Sequence, residues 1–124
     1  MKKLFTLGLI AVLAATLLTA CSGGAGGGKT VPLTLTMGEN NQMKFNPATI
    51  TVDKGSTVQL TLVNKDTAQA HDFTVPDFNV MSPNVGPGQS ATIKFTANKA
   101  GTFTFFCSVP GHRENGMQGT ITVK

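Results

Sequence analysis

ATITVDKGSTVQLTLVN, residues 48 to 64, carries the pattern that decides the fold. Ile50 and Val52 alternate with threonines, Asp53-Lys54-Gly55 interrupts as a turn, and Val58, Leu60 and Leu62 resume the alternation. Successive side chains of an extended strand point to opposite faces, so an apolar residue at every second position makes one dry face and one wet face. The same period returns on both sides of this stretch. Leu33, Leu35 and Met37 show it upstream; Ala91, Ile93 and Phe95, then Phe103, Phe105 and Cys107, then Gly119, Ile121 and Val123 show it downstream. Gly, Asn, Asp and Pro bound the runs, as they do between short strands. Beyond the N-terminal segment no stretch sustains a 3.6-residue period. The expected fold is all-β, an antiparallel β-sandwich of about seven to eight strands with Greek-key connections.

The 124 residues allow one domain, and the first twenty read as a separate segment. MKKLFTLGLIAVLAATLLTAC opens with Lys2 and Lys3, runs apolar from Leu4 to Leu18, and ends on small residues before Cys21. A basic start, a short apolar run and small residues before a cleavage point describe a secretory signal peptide. The run is short for a membrane span of ~20 residues, and no basic flank follows it. Leu18-Thr19-Ala20-Cys21 resembles the bacterial lipobox, which implies cleavage after residue 20 and an acylated Cys21 as lipid anchor. An ordinary secreted protein cut near Ala20, with Cys21 left as a thiol, is the alternative. SGGAGGG, residues 22 to 28, is a glycine-rich tether. The expected order is a signal peptide over 1–20, anchor and tether over 21–28, and one β domain over 29–124. The product is exported and held by lipid on the extracytoplasmic side of a bacterial membrane, periplasmic or cell-surface.

Without Lys2 and Lys3 the ten basic residues fall to eight, against six acidic ones, a net charge of about +2. Neither that balance nor any Lys/Arg cluster gives a footprint for nucleic acid. Export also changes the meaning of the two cysteines. With Cys21 acylated, Cys107 has no disulfide partner, and an odd thiol in an oxidising compartment needs something to occupy its sulfur.

CSVPGHRENGM, residues 107 to 117, supplies a candidate. Four residues separate Cys107 from His112, and four more separate His112 from Met117. Cys107 shares strand parity with Phe103 and Phe105, so its sulfur points inward. Pro110-Gly111 and Glu114-Asn115-Gly116 make two turns that return His112 and Met117 to the same end. The chain has one other histidine, His71 in AQAHDFTV, at the start of a strand. A lone histidine there is commonly a surface residue, but the Cys–His–Met loop lacks one nitrogen donor. Together His71, Cys107, His112 and Met117 offer two imidazoles, a thiolate and a thioether. Zinc gains little from a thioether. Two histidines and a cysteine with a weak axial methionine are the donors of a blue-copper electron-transfer site.

On these residues the chain resembles the cupredoxins, the small blue copper proteins that include plastocyanin, azurin and auracyanin. The likeness covers most of Met43 to Lys124, in MKFNPATITVDKGSTVQLTLVN, HDFTV, PGQSATIKFTANKAGTFTFFC and CSVPGHRENGMQGTITV. Two four-residue gaps resemble the auracyanin loop; plastocyanin-like loops are shorter between Cys and His, azurin-like loops between His and Met. The resemblance implies one type 1 copper, with His71, Cys107 and His112 equatorial and Met117 axial. It also implies an outer shell of Asp72, Ser108 and Val109. Where family members often carry asparagine after the first histidine, this chain has Asp72. A carboxylate there is placed to accept hydrogen bonds from the loop backbone or Ser108, and its charge favours Cu(II) over Cu(I).

The expected role is single-electron transfer by Cu(II)/Cu(I) cycling, with no catalytic residues. His112 is the electron exit, and Val109, Pro110 and parts of the 80–85 loop form an apolar docking patch. Expected partners are redox proteins, such as a cytochrome, an oxidase or another membrane electron-transfer complex; the protein itself is expected to be a monomer. The chain has no Trp or Tyr, which excludes relay through such rings. A nitrite reductase needs a second copper centre with more histidines. Copper delivery or storage is the alternative role, although Met37, Met43 and Met81 are scattered rather than clustered.

Overall fold

The computed structural model describes residues 28–124, so the signal segment, Cys21 and most of the tether lie outside the described residues. Among the described residues nine strands follow one another: β1 (Thr30–Met37), β2 (Phe45–Asn46), β3 (Thr49–Val52), β4 (Thr57–Asn64), β5 (Thr74–Val75), β6 (Val80–Met81), β7 (Ser90–Thr96), β8 (Gly101–Phe106) and β9 (Gln118–Val123). Two single 3₁₀ turns, Glu39–Asn41 and Pro76–Phe78, complete the regular structure. One sheet runs β2-β1-β4-β7 and the other β3-β9-β8-β5-β6.

The two sheets are mixed, which corrects the antiparallel expectation. β1 lies parallel to β4, from Thr30 beside Thr57 to Met37 beside Asn64. β3 lies parallel to β9, from Thr49 beside Thr120 to Val52 beside Val123. The remaining named pairings are antiparallel. Alternation reports which face a residue occupies but carries no strand direction, so parallel and antiparallel neighbours read alike. The strand count exceeds the expected seven to eight because β2, β5 and β6 have two residues each, too few to show a period.

The alternation itself decides what is inside. Along β4, Val58, Leu60, Leu62 and Asn64 are buried and the residues between them are half-buried. The inward face therefore ends on an asparagine, a polar group delivered to the interior at one end of the sandwich. Phe45, Phe73 and Phe105 fill the centre, with ring centroids 5.1 Å apart for Phe45–Phe105 and 5.0 Å for Phe73–Phe105. Such pairs add roughly 0.5–1.5 kcal/mol beyond the area they bury. Phe73 follows His71 by two residues and Phe105 precedes Cys107 by two, so shared parity turns both ring and donor inward.

Candidate metal centre

Cys107 leaves the end of β8 as a buried free thiol. The chain after it closes on itself through its own backbone. His112 N–H donates to Val109 O at 3.0 Å, Met117 N–H to His112 O at 3.0 Å, and Cys107 N–H to Met117 O at 3.1 Å. Asn115 adds a side-chain bond from Nδ2 to Gly111 O at 2.7 Å. Arg113 lies over the Phe106 ring, 4.0 Å from its centroid, tying the loop to β8. These bonds fix the directions of Cys107, His112 and Met117, and Met117 is fully buried.

His71 enters from the loop between β4 and β5. Its backbone exchanges two hydrogen bonds with Val85, 3.1 Å from His71 N–H and 2.8 Å from Val85 N–H. Asn64, at the inward end of β4, braces that loop. Its Nδ2 donates to Gln69 O and to Val85 O, both at 2.8 Å, and its Oδ1 accepts Asp66 N–H at 2.9 Å. Asp66 in turn accepts Ala68 N–H at 2.8 Å and Gln69 N–H at 3.0 Å on Oδ1, while Oδ2 faces His71 Nε2 at 3.0 Å. Both side chains of this last pair are wholly buried. Burial alone would raise the Asp66 carboxyl. The bonds from Ala68, His71 and Gln69 outweigh it and hold the group below the usual carboxylate range.

Gly38, just after β1, lets the chain pass close by this pair. A Cβ there would lie 2.6 Å from Asp66 Cβ and 2.7 Å from His71 Nε2, and the residue takes φ +65. Asn64, Asp66 and Gly38 were not singled out from the sequence. Only Asn64 carried a signal, as the polar residue that continues an apolar strand face.

The candidate ligands converge. His71 Nδ1 and His112 Nδ1 are 3.1 Å apart, and Cys107 Sγ lies 4.0 Å from the first and 3.5 Å from the second. All three donors fall within 4.8 Å of one another. The point equidistant from these three atoms is about 2.1 Å from each, close to a metal–imidazole bond length. Two ring nitrogens and a thiol collected in an apolar interior make a donor set that a soft-to-borderline ion satisfies. His71 is wholly buried whereas His112 retains 6% exposure, so His112 is the donor that meets the surface.

The protonation of the donors follows from burial. Desolvation pushes the Cys107 thiol up, against backbone hydrogen bonds from Asp72 and Val109 that pull it down. Desolvation, then the neighbouring His71, push the His112 imidazole below its ordinary value, only partly opposed by Asp66, Asp72 and Glu114. Without metal, both groups are therefore biased to their neutral forms.

Asp72 touches the sulfur and the loop together. Its N–H donates to Cys107 Sγ at 3.4 Å, Oδ1 accepts Ser108 N–H at 2.6 Å, and Oδ2 accepts the Ser108 hydroxyl. Beside it an open depression of about 420 Å³ is lined by Met81, Ser82, Asn84, Val109 and Pro110 among others. Met81 is 70% exposed, while Val85 faces inward and pairs with His71. The depression mixes apolar and polar groups, because Ser82, Asn84 and Asp72 share it with the apolar residues of the expected docking patch.

A two-sheet β-sandwich with a His–Cys–His–Met centre at one end defines the class of small copper domains. A family model described as Cupredoxin-like domain matches residues 8–123, and the chain belongs to that family. His71, Cys107 and His112 form its copper-like cluster, and the buried Met117 is tied through its backbone to Cys107 and His112. The copper-resistant cuproprotein CopI of Rubrivivax gelatinosus is 34% identical over 68% of this chain and 62% of that protein. A copper-containing nitrite reductase of Rhizobium sullae is 33% identical over 79% of this chain, but over only 33% of its own length. The chain thus spans less than two thirds of either relative. Among solved structures, auracyanin from Roseiflexus castenholzii superposes with a TM-score of 0.68 at 25% identity, covering 78% of this chain and 99% of that one.

Proposed function

We propose that this protein is a mononuclear type 1 copper protein that shuttles single electrons between redox partners outside the cytoplasm. The observation that carries the reading is the convergence of His71 Nδ1, Cys107 Sγ and His112 Nδ1 within 4.8 Å inside a bonded frame. Copper bound there supplies a Cu(II)/Cu(I) couple. The chain supplies what makes such a couple fast. Cys107 and Met117 are locked to each other by Cys107 N–H on Met117 O, and His71 is held through backbone and ring. Donors held in this way reorganise little when charge changes, and little reorganisation means a low barrier. The Cys107 thiol gives up its proton on metal binding, because the thiolate is the ligand. His112, with its edge at the surface, is the exit for the electron. The depression beside it, with Met81, Val109 and Pro110, is the proposed contact for a partner such as a cytochrome or an oxidase. Redox encounters use small interfaces of this kind.

The signal segment and the lipobox-like Leu18–Cys21 support an exported protein, lipid-anchored through Cys21 on the extracytoplasmic side of a bacterial membrane, and a monomer is the proposed state. The likeness to part of a nitrite reductase does not favour catalysis. The chain has two histidines, both gathered at one centre, which leaves none for a second copper. One observation favours a second reading, copper delivery or storage: a relative at 34% identity is named a copper-resistant cuproprotein. Voltammetry combined with a transfer assay separates the two. A reversible one-electron wave with slow copper loss supports the carrier; no reversible wave, with rapid copper transfer to an apoprotein acceptor, overturns it.

A further inference from the structure

We infer that Asp66 is a positioning residue for the metal ligand His71, selecting the ring tautomer that presents the Nδ1 lone pair to the copper. The inference rests on the copper reading above, but its observations are independent of any metal. A neutral imidazole has one N–H and one lone pair, and what the outer nitrogen touches decides which is which. Here, among the described residues, the outer nitrogen Nε2 has one hydrogen-bond partner, Asp66 Oδ2, at 3.0 Å and wholly buried. An ionised carboxylate oxygen only accepts, so Nε2 must carry the proton. The opposite tautomer would set a lone pair against a carboxylate in a dry interior, where an unsatisfied polar contact costs most. With the proton at Nε2, the lone pair lies at Nδ1, the atom 3.1 Å from His112 Nδ1 and 4.0 Å from Cys107 Sγ.

The carboxylate cannot turn away. Its other oxygen, Oδ1, accepts Ala68 N–H at 2.8 Å and Gln69 N–H at 3.0 Å, and Asp66 N–H is held on Asn64 Oδ1 at 2.9 Å. Gly38 closes the remaining side, since any Cβ there would lie 2.6 Å from Asp66 Cβ. The chain from Asn64 to His71 is therefore a fixed brace behind the ligand ring. Bonds within the segment, and bonds from it to Val85, Met37 and Asn41, hold it in place and aim Asp66 Oδ2 at the ligand.

The two hydrogen bonds that Oδ1 accepts make the isosteric variant decisive. In Asp66→Asn the amide oxygen has to stay where the two backbone N–H groups need an acceptor, so the amide NH₂ faces His71 Nε2. That nitrogen must then accept, and the ring proton moves to Nδ1, where it opposes a metal. The test reads the imidazole nitrogens of His71 by ¹⁵N NMR in the metal-free full chain at pH 8, then titrates copper into each protein. The wild type is expected to show the Nε2–H tautomer, a result that needs no variant to fold. Asp66→Asn is expected to show the Nδ1–H tautomer and to lose copper affinity on the order of 10- to 100-fold. A merely structural role would lower the melting temperature and leave the tautomer alone. A copper-binding wild type with the Nδ1–H tautomer, or an Asp66→Asn chain with unchanged tautomer and affinity, overturns the inference by itself. A wild type that takes up no copper overturns the proposed function, and with it the purpose assigned to Asp66, whatever its tautomer.

Discussion

Replacing Gly38 with alanine tests the close approach at the back of His71, and Gly55 is its control. Both glycines take left-handed backbone, φ +65 at Gly38 and φ +87 at Gly55. An alanine in that region costs roughly 1–2 kcal/mol. Stiffening of the unfolded chain offsets part of this equally at both sites. The difference lies in what the new methyl meets. At Gly55, in the turn before β4, nothing lies within 4 Å. At Gly38 the methyl would stand 2.6 Å from Asp66 Cβ and 2.7 Å from His71 Nε2, atoms of two wholly buried side chains bonded to each other. Neither can swing out, and overpacking of such a site costs about 1–3 kcal/mol. The Gly38→Ala chain should thus be less stable than Gly55→Ala by about 1–3 kcal/mol, a melting point lower by roughly 5–20 °C for a domain of this size. Calorimetry of the two metal-free variants measures it. Because the displaced groups hold a ligand, Gly38→Ala should also weaken copper binding while Gly55→Ala leaves it unchanged. Equal melting points and equal copper affinities would refute the reasoning.

Asp72→Asn keeps an acceptor for Ser108 N–H and removes a charge beside the Cys107 sulfur, so voltammetry should find a higher reduction potential; an unchanged or lower one contradicts the role given to Asp72. Copper uptake near pH 7.5 should release about one proton, because burial keeps the Cys107 thiol protonated until the metal takes the sulfur. Affinity then tightens by about tenfold per pH unit below the thiol's pKa and above that of His112; calorimetric titration in buffers of different ionisation enthalpy counts the proton, and a count of zero would mean the thiolate is already formed. Phe105→Ala, at a wholly buried ring packed on Phe45 and Phe73, should cost about 3–5 kcal/mol in urea unfolding, and a cost near zero would contradict the packing described.

The sequence was most legible where one side chain carries one physical message. The alternation in residues 48 to 64 names the buried face of β3 and β4 residue by residue, and Ile50, Val52, Val58, Leu60 and Leu62 are all buried. The centre was legible because Cys107, His112 and Met117 lie at even spacing after an inward-facing strand, and the chain has only one other histidine to complete them. Strand direction was not legible, since β1 and β4 look the same whether parallel or antiparallel. Asp66 was hidden for a different reason. In NKDTAQAH it reads as an ordinary loop residue, and its meaning comes from a fold that returns His71 Nε2 to it five residues later, against Gly38 from the turn after β1. The sequence places Val85 in the loop of the expected docking patch, yet its backbone pairs with His71 and its side chain joins the core.

Electron transfer by this protein requires that Cys107, as thiolate, and the two histidines share a copper ion. Visible absorption of the copper-loaded full chain, beside the Cys107→Ser variant, tests it most directly. An intense thiolate-to-copper band in the wild type, absent from Cys107→Ser, is the predicted result; a copper-loaded wild type with no such band would contradict the claim.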